Sequence, residues 1–352
     1  MTSLSTPAAA PAASARDTRL RPVPWRKLTW VIWRQHRIAL AGVAVLLAGL
    51  AAYLVFQGLK IHHAYAYATV AACHPAGSIA CEDIQNDFNN TYWTGAEITA
   101  ALLQAVPALI GAFLGAPALA RELETGTYRY AWTQGFERTR WAAGKLATLA
   151  VLITAATAAF SQLFSWYYQP FIAEGQQSPL IPALFDLRGV AFAAWTLAAF
   201  AIGALAGMLI RRVVPAMATT LAIYAGLAIG IPAFVRGRYM TPLTTTSPNI
   251  SNGNGWVLSQ WYTGPGGQPV SQSTITQLLQ SYQPQTTQIS PTTTQTNLDP
   301  IGYLAQHGYA QWTSYQPVGR FWPFQLIEGG WLLALSLLLI AATIWLVRHR
   351  AA

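Results

Sequence analysis

The sequence predicts an all-α protein that crosses a membrane six times, and three observations carry that reading. Of 352 residues, 53% are hydrophobic and only 9% are charged, where a soluble domain carries about 25% charged residues. Six apolar runs are long enough for a bilayer core, which takes about 20 residues; they lie near 38–57, 98–120, 146–168, 190–210, 213–235 and 325–347. With the N-terminus inside, the cytoplasmic segments hold 16 of the 21 Lys and Arg residues and the outer segments hold 5. That asymmetry is the positive-inside pattern. The chain is therefore expected to be multi-pass in the plasma membrane with both termini cytoplasmic. The net charge of +9 lies beside apolar spans rather than on one soluble face, which argues against nucleic acid as a partner.

Residues 1–24 are Ala, Pro, Ser and Thr with a few Arg and read as a disordered cytoplasmic tail. They hold no apolar run of the signal-peptide kind. Residues 25–350 read as a single transmembrane domain. It starts with Trp25, Trp30 and Trp33 mixed with Arg34 and Arg37 just before the first apolar run. Trp rings favour the headgroup level and basic residues the inner leaflet. An interfacial elbow helix is expected, the alternative being a plain positive flank.

The first outer loop, 58–97, holds the two cysteines, Cys73 and Cys81. One disulfide there would contribute about 2–3 kcal/mol. The alternatives are two free thiols, or a metal cluster with His62, His63, His74, Glu82 and Asp83. No spacing among these matches a zinc pattern, so no metal and no cofactor is expected. Pro107 and Pro117 are expected to kink the second span.

The interval 121–145 follows, holding five of the basic and three of the 12 acidic residues. Gly126 suits a helix stop and Thr127 a new cap. Tyr128, Ala131 and Trp132 share a helical face. A short amphipathic helix in a tight loop is the reading, and an ordinary solvated loop is the alternative.

Arg211 and Arg212 separate the fourth and fifth runs. One continuous helix would place two Arg at mid-membrane, so a break is expected, helped by Pro215. The second outer loop, 169–189, is short. The third, 236–324, is rich in Thr, Gln, Ser, Asn, Pro and Gly and reads as mostly irregular. Ile275, Leu278 and Leu279 support a turn or two of helix, as do Tyr303 and Leu304. The aromatic run from Tyr315 to Phe324 is expected to anchor the sixth span at the outer interface.

Chemistry has no visible home. Gly144-Lys145 lacks the rest of a P-loop, since Thr139 and Leu146 stand where Gly and Ser or Thr are needed. His-Glu-x-x-His and Gly-x-Ser-x-Gly are both absent. Glu97, Asp186, Arg188 and Glu328 lie at span ends, not mid-membrane. Glu328 is expected to pair with Arg188 or Arg320, or to reach outer water. Gln104, Ser161 and Gln162 read as helix contacts. Small residues recur at four-residue spacing, at Gly111 and Gly115, Gly203 and Gly207, and Gly226 and Gly230, a pattern that lets helices approach closely in lipid.

Six spans, inward termini, a basic elbow and a large outer loop before the last span resemble type-2 ATP-binding-cassette (ABC) transporter permeases. The likeness is carried by Glu124-x-Gly126-Thr127 after the second span and Gly144-Lys145 at the start of the third. Trp30-x-x-Trp33-Arg34-Gln35-His36-Arg37 and Tyr315-Gln316-Pro317-x-x-Arg320-Phe321-Trp322 resemble actinobacterial members. The resemblance covers all but the first 24 residues. It implies that 121–145 is a coupling helix seated in a cleft of a separate ABC ATPase subunit. Its residues would be Glu124, Gly126, Thr127, Tyr128, Arg129 and Trp132. It also implies a second permease subunit, in a homo- or heterodimer, and ATP hydrolysis by the partner rather than by this chain. The function so implied is export. The alternative is a sensor, resistance or assembly protein that keeps a permease-like shell.

Overall fold

The computed structural model describes residues 25–68, 79–126, 138–173, 177–246, 255–282, 285–290, 293–297 and 300–350. Among these, six helices are long and apolar enough to cross a membrane: Trp33–Ala66, Asp83–Thr125, Thr139–Ala173, Ala191–Ile210, Val213–Arg238 and Val318–His349. One lies over each apolar run. The protein is an all-α polytopic membrane protein with a small β module between the fifth and sixth spans. The tail, 1–24, lies outside the described residues.

The first helix runs unbroken from Trp25 to Ala66, about 63 Å at 1.5 Å per residue. The expected elbow is thus the opening turns of the first span helix. Trp30 and Trp33 are exposed there, and the Arg34 guanidinium stands 5.5 Å over the Trp30 ring. The loop expected at 58–97 is shortened from both sides, because the second helix already begins at Ile79. Hydropathy marks where lipid ends, not where a helix ends. Here both helices continue past the apolar runs and are held by aromatic packing. Phe88 sits 6.0 Å from Tyr65 and 5.6 Å from Phe171, centroid to centroid.

The second span is interrupted twice. Its helix stops at Leu103 and resumes at Val106, then widens into a π-turn at Gly111–Gly115 before Ala116–Thr125. Each irregularity lies just N-terminal to a proline, Pro107 or Pro117. A proline removes one backbone donor and crowds the carbonyl one turn back, so the preceding turn must change. In the first gap the Gln104 side chain donates to the Ala183 carbonyl at 2.7 Å. Ser161 donates to the Gly189 carbonyl at 3.0 Å. Gln162 is exposed.

The fourth span is the hub. A Cβ on Gly111 would come 2.6 Å from the Ala199 carbonyl, and one on Gly115 would come 2.6 Å from the Phe200 carbonyl. Side chains at Gly203 and Gly207 would overlap the carbonyls of Gly111 and Ala116. The second and fourth spans therefore meet backbone to backbone. The fourth span ends at Ile210 with Arg211 in the left-handed region, φ 58°, and the fifth starts at Val213. That is the break expected from the two arginines.

The long outer segment departs from the irregular loop expected. It forms a four-stranded antiparallel sheet in the order β1-β6-β2-β3, from Leu243–Thr245, Ala310–Pro317, Gly255–Thr263 and Pro269–Val270. A second hairpin joins β4, Gln285–Ser290, to β5, Thr293–Asn297. The two helical turns foreseen are present at Gln272–Gln280, capped by the Ser271 hydroxyl, and at Pro300–Gln306. The sheet was hidden because apolar and polar residues are mixed on both faces of its strands, so no clean alternation marks them. Aromatic pairs stiffen it instead: Trp261 and Trp312 face each other across the ladder at 6.4 Å.

The module is bolted to the spans. Gln316 donates to the carbonyls of Gly237 (3.0 Å) and Met240 (2.7 Å), and Arg320 donates to that of Thr241 (2.6 Å). The aromatic run before the sixth span splits in two. Trp322 faces outward, while Phe324 is fully buried and Phe321 packs edge-on against Phe185.

Glu328 corrects the sequence reading most clearly. It is fully buried, and its partner is Arg236, whose Nε and Nη2 donate to its two oxygens at 2.8 and 2.6 Å. Trp195 Nε1 donates at 2.8 Å and the Tyr239 hydroxyl at 3.1 Å. Arg236 also donates to Asp186. Arg188 instead stands over the Phe321 ring at 5.3 Å. Burial pushes the Asp186 carboxyl upward; the Arg236 guanidinium pulls against that rise and the Glu328 charge adds to it. The cluster ties the last three spans together at one end, the start of the fourth, the end of the fifth and the start of the sixth.

Candidate functional site

The candidate site is where the second and third spans leave the bilayer around the interval 121–145. The second span ends at Thr125, whose hydroxyl donates to the Arg121 carbonyl at 2.8 Å. Gly126 follows in the left-handed region, φ 69°. That conformation strains any residue with a Cβ, which is why glycine suits the turn. The third span helix begins at Arg138. Thr127, Tyr128, Arg129 and Trp132 lie outside the described residues.

Two contacts fix the ends of the loop. Lys145, fully buried on the third span, donates to Glu122 on the second at 2.6 Å. Its ammonium also lies 5.1 Å from the centre of the Trp141 ring, itself buried. Removing one partner of such a pair costs about 3–5 kcal/mol, because a buried charge is left uncompensated. Glu124 makes the second contact. Its Oε2 accepts from the Val213 backbone N–H at 3.0 Å, so a carboxylate on the second span caps the first turn of the fifth. Val213 N–H is one of the orphan donors at a helix start, and the positive end of the helix dipole favours a carboxylate there.

The first helix reaches the same rim. His36 lies within the field of Lys145 and Arg121, and its buried Nε2 has no hydrogen-bond partner among the described residues. Loop entry, loop exit, the fifth span and the first helix thus converge in one place. The Glu122–Lys145 pair joins the second span to the third beside the loop, and Glu124 joins the second span to the fifth. Sequence reasoning named Glu124 and Gly126 but missed Glu122, Trp141 and the Val213 N–H. Its available signal was a carboxylate and a lysine placed at the edges of two apolar runs.

The remaining candidates are dispersed. Trp33, Arg34 and Arg37 line the opening turns of the first helix, and the Trp25 side chain lies outside the described residues. Cys73 and the Cys81 side chain also lie outside them. His62, once a possible metal ligand, has its Nε2 2.8 Å from the Trp166 carbonyl and stacks on that ring at 4.7 Å.

Residues 44–236 match the family model described as ABC-2 membrane transporter related. Among curated proteins, and among solved structures, nothing matches the chain. The matched segment begins in the first span, takes in the second to fifth, and includes the whole loop with both of its anchoring contacts. It covers more than half of the 352 residues, and the chain belongs to the ABC-2 membrane transporter related family.

Proposed function

We propose that the chain is the membrane-spanning permease subunit of an ABC exporter, driven by a separate ATPase and paired with a second permease subunit. The observation that carries this reading is the double anchoring of the 121–145 loop, inside the segment matched by the family. A loop that only connected two spans would have no need of a buried ion pair at its base and a tie to a third span.

In this reading the loop docks in a cleft of the ATPase. Tyr128 and Trp132 are the apolar anchors. Glu124 and Arg129 set orientation, and Gly126 and Thr127 make the turn into the docking helix. ATP-driven motion enters at the loop and spreads the second, third and fifth spans. The protein sits in the plasma membrane with both termini in the cytoplasm, and Cys73 and Cys81 form one disulfide on the outer side.

The test is co-expression with an ABC ATPase encoded beside the gene. Trp132→Ala is expected to weaken co-purification by about 2 kcal/mol, roughly thirtyfold. Glu124→Ala is expected to leave insertion intact and to uncouple hydrolysis from export. Wild-type behaviour in both variants would overturn the docking role. Orientation is checked separately in intact cells with an impermeant thiol reagent, in a background without the native cysteines. Ser273→Cys is expected to react and Thr133→Cys to stay unreactive.

A further inference from the structure

Between the cytoplasmic half of the first helix and the second and third spans lies a groove of about 680 Å³. Its walls are apolar, with Ala41 and Ala44 on one side and Ile110 and Ile153 on the other. Its two polar residues, Trp33 and Arg37, both stand at the end nearer the N-terminus. We propose that this groove binds one anionic glycerophospholipid, its phosphate on Arg37 and one acyl chain running inward to Leu47.

Three observations select that occupant. The first is length. Trp33 to Leu47 spans about 21 Å of helix, and one leaflet of hydrocarbon is about 15 Å deep; the groove runs from headgroup level to mid-bilayer. The second is the wall. Beyond Trp33 and Arg37 the lining is apolar as far as the buried Leu47, which suits a hydrocarbon tail and not a polar ligand. The third is charge. Arg37 is exposed and makes no ion pair or hydrogen bond among the described residues. It stands one residue from His36, at the level of the buried Glu122–Lys145 pair. A guanidinium there matches a phosphate in two-pronged fashion, and an indole beside it suits the headgroup layer. A volume near 680 Å³ also lies within the roughly 300–1,000 Å³ of ordinary ligand sites. Such a lipid would fill the space between the first and second spans. The inference needs only that the spans lie in a bilayer; assigning the lipid to the inner leaflet rests on the orientation proposed above.

The experiment uses the full chain, purified in neutral detergent and mixed with phosphatidylglycerol, phosphatidylcholine or inorganic phosphate. Native mass spectrometry counts bound lipid per protomer, and thermal unfolding reads its effect. One phosphatidylglycerol is expected to be retained in preference to phosphatidylcholine. Arg37→Gln should weaken it about fivefold, given about 1 kcal/mol for one basic residue at a membrane surface. Arg37→Glu should weaken it further, Arg37→Lys should keep most of it, and Ala44→Trp should block the slot. Equal retention of both lipids would overturn the proposal, as would unaltered binding in Arg37→Gln. It would also fall if phosphate alone displaced the lipid, or if Ala44→Trp changed protomer association with the lipid count unaltered, because the groove would then belong to a second copy. None of these readouts involves an ATPase or the coupling loop, so they fail or succeed apart from the exporter reading.

Discussion

The fourth and fifth spans carry the same small-x-x-x-small pattern and put it to opposite use. Gly203 and Gly207 are locked against the backbone of the second span, with no room for a Cβ. Gly226 and Gly230 have nothing within 4 Å of where a Cβ would stand. In the fourth span 78% of the apolar stretch is buried, against 17% in the fifth and 11% in the first. The pattern therefore reports that a backbone can be approached, and the fold decides what approaches it. The fourth span spent its glycines inside the protomer. The fifth, which is the helix that Glu124 caps, keeps its own on an open face.

Three substitutions sharpen or break that contrast. The largest effect is expected at the hub's outer end. Glu328→Ala leaves buried Arg236 with Asp186 alone and should cost about 3–5 kcal/mol, seen as a large fall in thermal unfolding temperature in detergent. Gly203→Leu comes next, at about 3 kcal/mol, the upper end for overpacking, because carbonyls and not flexible side chains stand in the way. Gly226→Leu is expected to change protomer stability by less than about 0.5 kcal/mol, as surface substitutions do, while altering association between protomers in size-exclusion or cross-linking measurements. If Gly226→Leu unfolded the protomer as Gly203→Leu does, the two faces would be equivalent and the contrast would be lost.

The sequence made the spans legible because lipid leaves the backbone few solutions. About 20 apolar residues in a row become a helix whatever their neighbours do, and Arg211-Arg212 can only be a break. The interactions between spans were harder to read. Glu328 and Arg236 are 92 residues apart, and each alone looks like a rim residue reaching water. The Glu122–Lys145 pair was hidden for the same reason. Glu124 was picked out from a motif, yet its bond to the Val213 N–H is a backbone contact and leaves no trace in side-chain pattern. In the outer module, Thr- and Gln-rich strands resembled a loop because their ladder is held by backbone bonds and a few aromatic pairs.

The first and last strands of that outer module have a consequence of their own. β1 leaves the fifth span and β6 returns to the sixth, and they lie side by side, Leu243 opposite Tyr315. Antiparallel partners stand only about 5 Å apart, so the chain leaves and returns at one place, with Trp256 of β2 also packed against the core of the spans. A two-residue turn can bridge such a pair, and loop-closure entropy rises only slowly with length. That closeness is expected to let the tip of the segment be lengthened or exchanged while the spans keep their register, as long as β1, β6 and Trp256 stay in place.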